Sequence, residues 1–108
     1  MKILTRTTFI LTAVVFSISA LAQNTQVVRG KVIDKESQYP LDGATILLMD
    51  SSKTQAVTGA DGKFRLENVP LGRQSLQVEY TFYKTRIIPI IVTAGKEVIL
   101  NIDMEDAF

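Results

Sequence analysis

"TGADGKFRLENVPLG" (residues 58–72) packs two turn signals around a short alternating segment. Phe64 and Leu66 point one way and Lys63, Arg65 and Glu67 the other, the period of two that marks a half-buried strand. Asp61-Gly62 stands before the segment, and such a pair favours a tight hairpin because it tolerates the positive φ those turns need. After it, Pro70 presets φ for a turn position and Gly72 closes the turn. The stretch is too ordered for a linker and holds no nucleophile, metal cluster or phosphate loop. It predicts a core strand bracketed by two turns.

The same period runs outward from this stretch. "VVRGKVID" (27–34) places Val28 and Val32 on one face with Gly30 between them, and Arg29 and Lys31 on the other. A loop with Pro40 and Asp42-Gly43 as breakers leads to "ATILLMD" (44–50), which is apolar on both faces. "QAV" (55–57) begins a short third strand. "QSLQVEYTF" (74–82) alternates, with Leu76, Val78, Tyr80 and Phe82 expected inward. "TRIIPIIVT" (85–93) carries Pro89, which implies an edge or a bulge. "EVILNIDM" (97–104) puts Val98, Leu100, Ile102 and Met104 on the inward register. About seven strands, no convincing helix and recurrent turn residues predict an all-β, antiparallel sandwich of two sheets over 27–104.

The chain's first 22 residues read differently. Lys2 and Arg6 precede the apolar run Phe9 to Ile18, and the segment ends in Ala20-Leu21-Ala22. That is the pattern of a secretory signal peptide cut before Gln23; a membrane span needs roughly 20 apolar residues. Residues 23–26 are expected as a flexible start, and 105–108 as a tail or the start of a further region. The expected mature chain has no membrane span and is exported; the resemblance given below implies the periplasm or the periplasmic side of the outer membrane, with secretion or the cell surface as the alternative. There is no cysteine, so neither a disulfide nor a cysteine-linked lipid supports the domain.

Composition narrows the chemistry. With no histidine and no cysteine, the usual general base, thiolate nucleophile and zinc ligands are missing. No catalytic residue, metal site or cofactor is assigned. Asp61 has a faint calcium-loop character, but positions 57–66 supply one carboxylate where several oxygen ligands are needed. Beyond residue 22 there are ten basic and eleven acidic residues, a balance without the electrostatic footprint of a nucleic-acid binder.

Two sets of side chains remain as binding candidates. Ile33, Leu47, Met49 and Ile99 fall on the outward register, where an apolar patch marks a docking surface; the alternatives are that loops cover them or that the second strand is buried on both faces. Tyr39 and Tyr83, at loop and strand-end positions, are candidate sugar-contacting aromatics. The partners these sets imply are a protein or downstream domain in the envelope, or a glycan.

The order of signals resembles the carboxypeptidase-regulatory-like domain. Gly30-Lys31-Val32-Ile33-Asp34 matches its G-x-V-x-D start, Pro40 to Ala44 its P-x-x-G-A turn, Asp61 to Phe64 its D-G-x-F hairpin, and Pro70 to Gly72 its P-x-G turn. The resemblance implies a transthyretin-like, seven-stranded sandwich that is not itself catalytic. It implies an accessory of peptidases or, behind a signal peptide, the periplasmic N-terminal extension of a TonB-dependent outer-membrane receptor that imports glycans or other nutrients. A small exported carbohydrate- or surface-binding protein is the alternative. One departure stands out: many members carry Gly-Tyr after the long strand, where this chain has Phe82-Tyr83.

Overall fold

The computed structural model describes residues 24–50 and 52–108. The expected signal peptide and its cleavage point lie outside the described residues. Seven strands follow in order: β1 (Thr25–Asp34), β2 (Thr45–Leu48), β3 (Gln55–Val57), β4 (Lys63–Pro70), β5 (Gly72–Glu79), β6 (Arg86–Val92) and β7 (Val98–Met104). They form a three-stranded sheet, β4-β1-β7, and a four-stranded sheet, β3-β2-β5-β6. The chain is an all-β sandwich.

Alternation explains the core. Val28, Val32, Phe64, Leu66, Ile102 and Met104 line the inner face of the first sheet, all buried. Ile46, Leu48, Leu76, Val78, Ile90 and Val92 line that of the second. Fully burying side chains of this size contributes about 1.5–3 kcal/mol each relative to exposure, which is how a domain without disulfides holds together. Val69 is buried although it is off the parity of Leu66. A bulge explains it: the register shifts between Gln26↔Val69 and Val28↔Leu66, and Asn68 takes φ 59°. Two residues of β4 then oppose one of β1, which returns Val69 to the core.

The opening stretch does something other than form a hairpin. β3 and β4 belong to different sheets, so Asp61-Gly62 turns a corner between sheets, and Pro70 to Gly72 turns the second corner back. Only Gly62 of the first pair takes positive φ, at 77°. Gly59 N–H bonds the Lys63 carbonyl at 3.0 Å, and Asp61 Oδ1 accepts from Lys63 N–H at 3.0 Å. Thr58 pins the corner from inside: its hydroxyl donates to the Leu41 carbonyl and accepts from Ala44 N–H. β4 pairs with β1 and not with β3, so the Asp-Gly signal sets a sharp reversal here without setting a hairpin.

Three other expectations need correcting; the segment after β7 makes a bridge between Tyr83 and Asp106. Among the described residues four of the five strand pairings are antiparallel, but β1 and β7 run parallel; no hairpin joins them, so no turn imposes a direction. Thr25 and Gln26, expected in a loose start, pair with Pro70 and Val69. Phe82, expected inward, is 69% exposed, because β5 ends at Glu79 and the chain leaves strand geometry before reaching it. Pro89 lies on an edge strand, where a residue without N–H costs no ladder bond.

Candidate functional site

The four outward apolar residues do not form one surface. Ile33 and Ile99 belong to the outer face of the β4-β1-β7 sheet, and Leu47 and Met49 to that of the other sheet. Ile33 is half-buried and bridged by Pro40, and Leu47 is half-buried between β3 and β5. Met49 and Ile99 are exposed, at 46% and 58%. Leu47 and Met49 gain neighbours that periodicity did not assign: Ile87 and Ile91 of β6 are exposed on the same face. Leu47 pairs with Gln77, which pairs with Ile87. The run "IIPII" is apolar at both parities, so its faces become legible only once the pairing with β5 is known.

The outer face of the other sheet is of a different kind. β1 and β4 pair so that Arg29 lies opposite Arg65 and Lys31 opposite Lys63. Four cations thus form two adjacent rows, with Ile99 and Asn101 of β7 beside them. Glu97 enters the first row, its carboxylate 2.8 Å from Arg29 Nε and 4.0 Å from Arg65 Nη2. The hydrogen bond from Arg29, with the charges of Arg29 and Arg65, holds the Glu97 carboxyl below its ordinary range despite some desolvation. Glu67 takes Arg65 Nε at 3.0 Å. Among the described residues Lys31 and Lys63 have no ion-pair partner. A shallow groove of about 550 Å³ runs over this array.

Tyr39 and Tyr83 come to the same corner but play different parts. Tyr39 is exposed, and its carbonyl accepts from Asp34 N–H at 2.8 Å. Tyr83 donates its hydroxyl to Asp34 Oδ2 and stands edge-on to Tyr80, ring centroids 5.3 Å apart. Asp34 Oδ1 accepts from the N–H groups of Glu36 and Ser37, both at 2.9 Å. Tyr83 first, then these backbone donors, lower the Asp34 carboxyl below its ordinary 3.8. The bond to Asp34, with burial, pushes Tyr83 up to about 12. Tyr83 is engaged within the fold, and Tyr39 is the freer ring. Sequence reasoning missed a second exposed pair, Phe82 and Phe108, with centroids 5.8 Å apart.

With two sheets, the β3–β4 and β4–β5 corners and Asp34 at the end of β1 in place, the family can be stated. The model of the carboxypeptidase regulatory-like domain matches residues 27–105. The chain belongs to that family. Its G-x-V-x-D start acquires a physical meaning here: Asp34 ties the β1–β2 loop to the Tyr83 corner, and Gly30 lets β7 come close. A Cβ at Gly30 would stand 1.9 Å from the Leu100 carbonyl oxygen.

Similar solved structures include the Bacillus anthracis TIE protein, at 19% identity and a TM-score of 0.64, over 77% of this chain and 17% of that one. BcpA, the major pilin subunit of Bacillus cereus, aligns at 18% identity and 0.63, over 77% and 30%. A type II cohesin-X-dockerin complex from Acetivibrio cellulolyticus aligns at 26% and 0.61, over 73% and 56%. The chain therefore spans well under two thirds of these proteins. No curated protein sequence matches it. Among the described residues no helix is long and apolar enough to cross a membrane, and no group of three or more acidic side chains is placed to hold a metal ion.

Proposed function

We propose that this carboxypeptidase regulatory-like domain is a non-catalytic interaction module of the cell envelope, the periplasmic N-terminal extension of, or accessory to, a TonB-dependent outer-membrane nutrient receptor. The family match over 27–105 carries this reading. It is supported by a chain without histidine or cysteine and by the export pattern of residues 1–22. The similar cohesin-X-dockerin structure is a complex between proteins, in keeping with work done through surfaces. We assign the receptor contact to the apolar face of the four-stranded sheet, Leu47 and Met49 joined by Ile87 and Ile91.

The test is capture of the chain from outer-membrane extract with a photo-crosslinker at position 91. Co-isolation with a TonB-dependent receptor, or as part of one polypeptide with it, is expected. Leu47→Ser with Ile87→Ser should lower the yield severalfold while circular dichroism stays that of a β-sandwich. Recovery of the chain in a soluble fraction with no receptor attached would sink the assignment.

A further inference from the structure

We infer that the outer face of the β4-β1-β7 sheet binds an extended acidic protein segment, with carboxylates seated on the Arg29/Arg65 and Lys31/Lys63 rows. This rests on reading the chain as an interaction module and names the chemistry of a second partner surface. The outer face of this sheet carries an arrangement the fold does not need. Like charges directly opposite on neighbouring strands are destabilising, and here two successive cross-strand pairs are both cationic. The first row is relieved from within the chain, by Glu97 between its two arginines and Glu67 beside one of them. The second row has no such partner among the described residues.

Glu97 is a template for the missing occupant. It shows what the first row accepts: a carboxylate shared by two cations facing each other across β1 and β4. The second row lies two residues further along both strands, roughly 6.7 Å at the rise of a strand. An extended peptide carries alternate side chains at the same repeat. Acidic residues at i and i+2 would therefore reach both rows, the first by displacing Glu97. The rim also suits a peptide. Ile99 and Val57, 58% and 59% exposed, flank the groove as seats for apolar neighbours. The groove's one aromatic residue, Phe64, is buried, so no open ring is offered to the face of a sugar.

The probe is a fluorescein-labelled peptide of alternating glutamate and valine, titrated by anisotropy into the protein at low salt. Controls are a glutamine–valine peptide and one with the same composition but paired glutamates. The alternating acidic peptide should bind best. Lys31→Gln with Lys63→Gln should weaken it about tenfold, the scale of two exposed ion pairs. Glu97→Gln should strengthen it by vacating the first row. Salt should weaken binding in the wild type more than in the double variant. None of the three substituted positions is buried, and circular dichroism checks that the variants keep the sandwich.

Unchanged binding in the lysine variant, or equal binding of the paired-glutamate peptide, overturns the assignment. So does displacement by polygalacturonate at equal carboxylate concentration, which would make the surface a glycan site. If no acidic peptide binds while crosslinking to a receptor through position 91 persists, this face is merely solvated and the reading as a receptor module stands.

Discussion

Of the turns of this sandwich that pass through the left-handed region of backbone space, one does so with a glycine and another with a phenylalanine. Gly62, φ 77°, sits at the first inter-sheet corner, where a Cβ would lie 2.6 Å from the Val32 carbonyl oxygen and 2.9 Å from Pro40 Cβ. Phe82, φ 69°, sits after β5 with its ring in solvent. For an L-residue this region costs roughly 1–2 kcal/mol. At Gly62 both conformation and space demand glycine. At Phe82 only conformation does, and the neighbours override it: Tyr83 N–H bonds the Tyr80 carbonyl at 3.0 Å, Ala107 N–H bonds the Phe82 carbonyl at 3.0 Å, and Tyr83 is anchored on Asp34. A turn can be set by its own residue or imposed by what surrounds it.

The largest expected effect tests the first half of that contrast. Gly62→Val adds left-handed strain of roughly 1–2 kcal/mol to overpacking of about 1–3 kcal/mol, so unfolding free energy should fall by about 3 kcal/mol or more. Lys63→Gln, one residue on and exposed, should stay within about 0.5 kcal/mol of wild type. Equal melting temperatures for the two variants would mean that the corner is misplaced. Next comes Gly30→Ala, where φ is ordinary but the Leu100 carbonyl blocks a Cβ. Overpacking alone predicts a loss of about 1–3 kcal/mol, measurable in urea. A neutral Gly30→Ala would show that β1 and β7 separate easily.

These positions also show why some of the molecule could be read from its sequence and some could not. Gly30, Pro40, Asp61-Gly62 and Pro70 are local signals, so seven strands are legible in the sequence, and where a strand alternates, as outside β2 and β6, its inward face is legible too. Which strand neighbours which is not a local property. The Asp-Gly pair reads the same whether the next strand folds back on β3 or crosses to β1. Arg29, Lys31, Lys63 and Arg65 were each assigned outward, yet their gathering into one array follows only from the β1–β4 register. A chain near neutrality gave no hint of it, because net charge says nothing of distribution. Phe82 continued an alternating pattern and was placed inward, when backbone contacts from Tyr80 and Ala107 had already turned the chain.

The anchor of that second corner has a pH signature. The Asp34 carboxyl is lowered first by the Tyr83 hydroxyl, so what it contributes is complete above its ordinary 3.8 and is lost as pH falls through the folded value. Tyr83 is raised from 10.0 to about 12, so its contribution is complete below 10 and is lost as pH rises through 12. Tyr83→Phe should therefore destabilise at pH 7, modestly because both groups are only half-buried. The gap to wild type should narrow at pH 3 and again above pH 11. Denaturant midpoints of both proteins across this range decide it; a gap independent of pH would mean that the hydroxyl–carboxylate bond does not hold the corner.

The smallest effect has the opposite sign. Phe82→Gly removes a left-handed cost of roughly 1–2 kcal/mol, offset by about 0.5–1 kcal/mol from the greater freedom of glycine in the unfolded chain. It also gives up the contact with Phe108. The balance is a stabilisation of about 0.5 kcal/mol, a rise of roughly 2–4 °C in melting temperature for a domain of this size. Phe82→Ala separates backbone from side chain: it loses the same ring but keeps the strained Cβ, so it should not stabilise. If alanine raised the melting temperature as much as glycine, the gain would come from withdrawing an exposed ring. Phe82 would then be no more strained than its neighbours, and the contrast with Gly62 would reduce to the space around each residue.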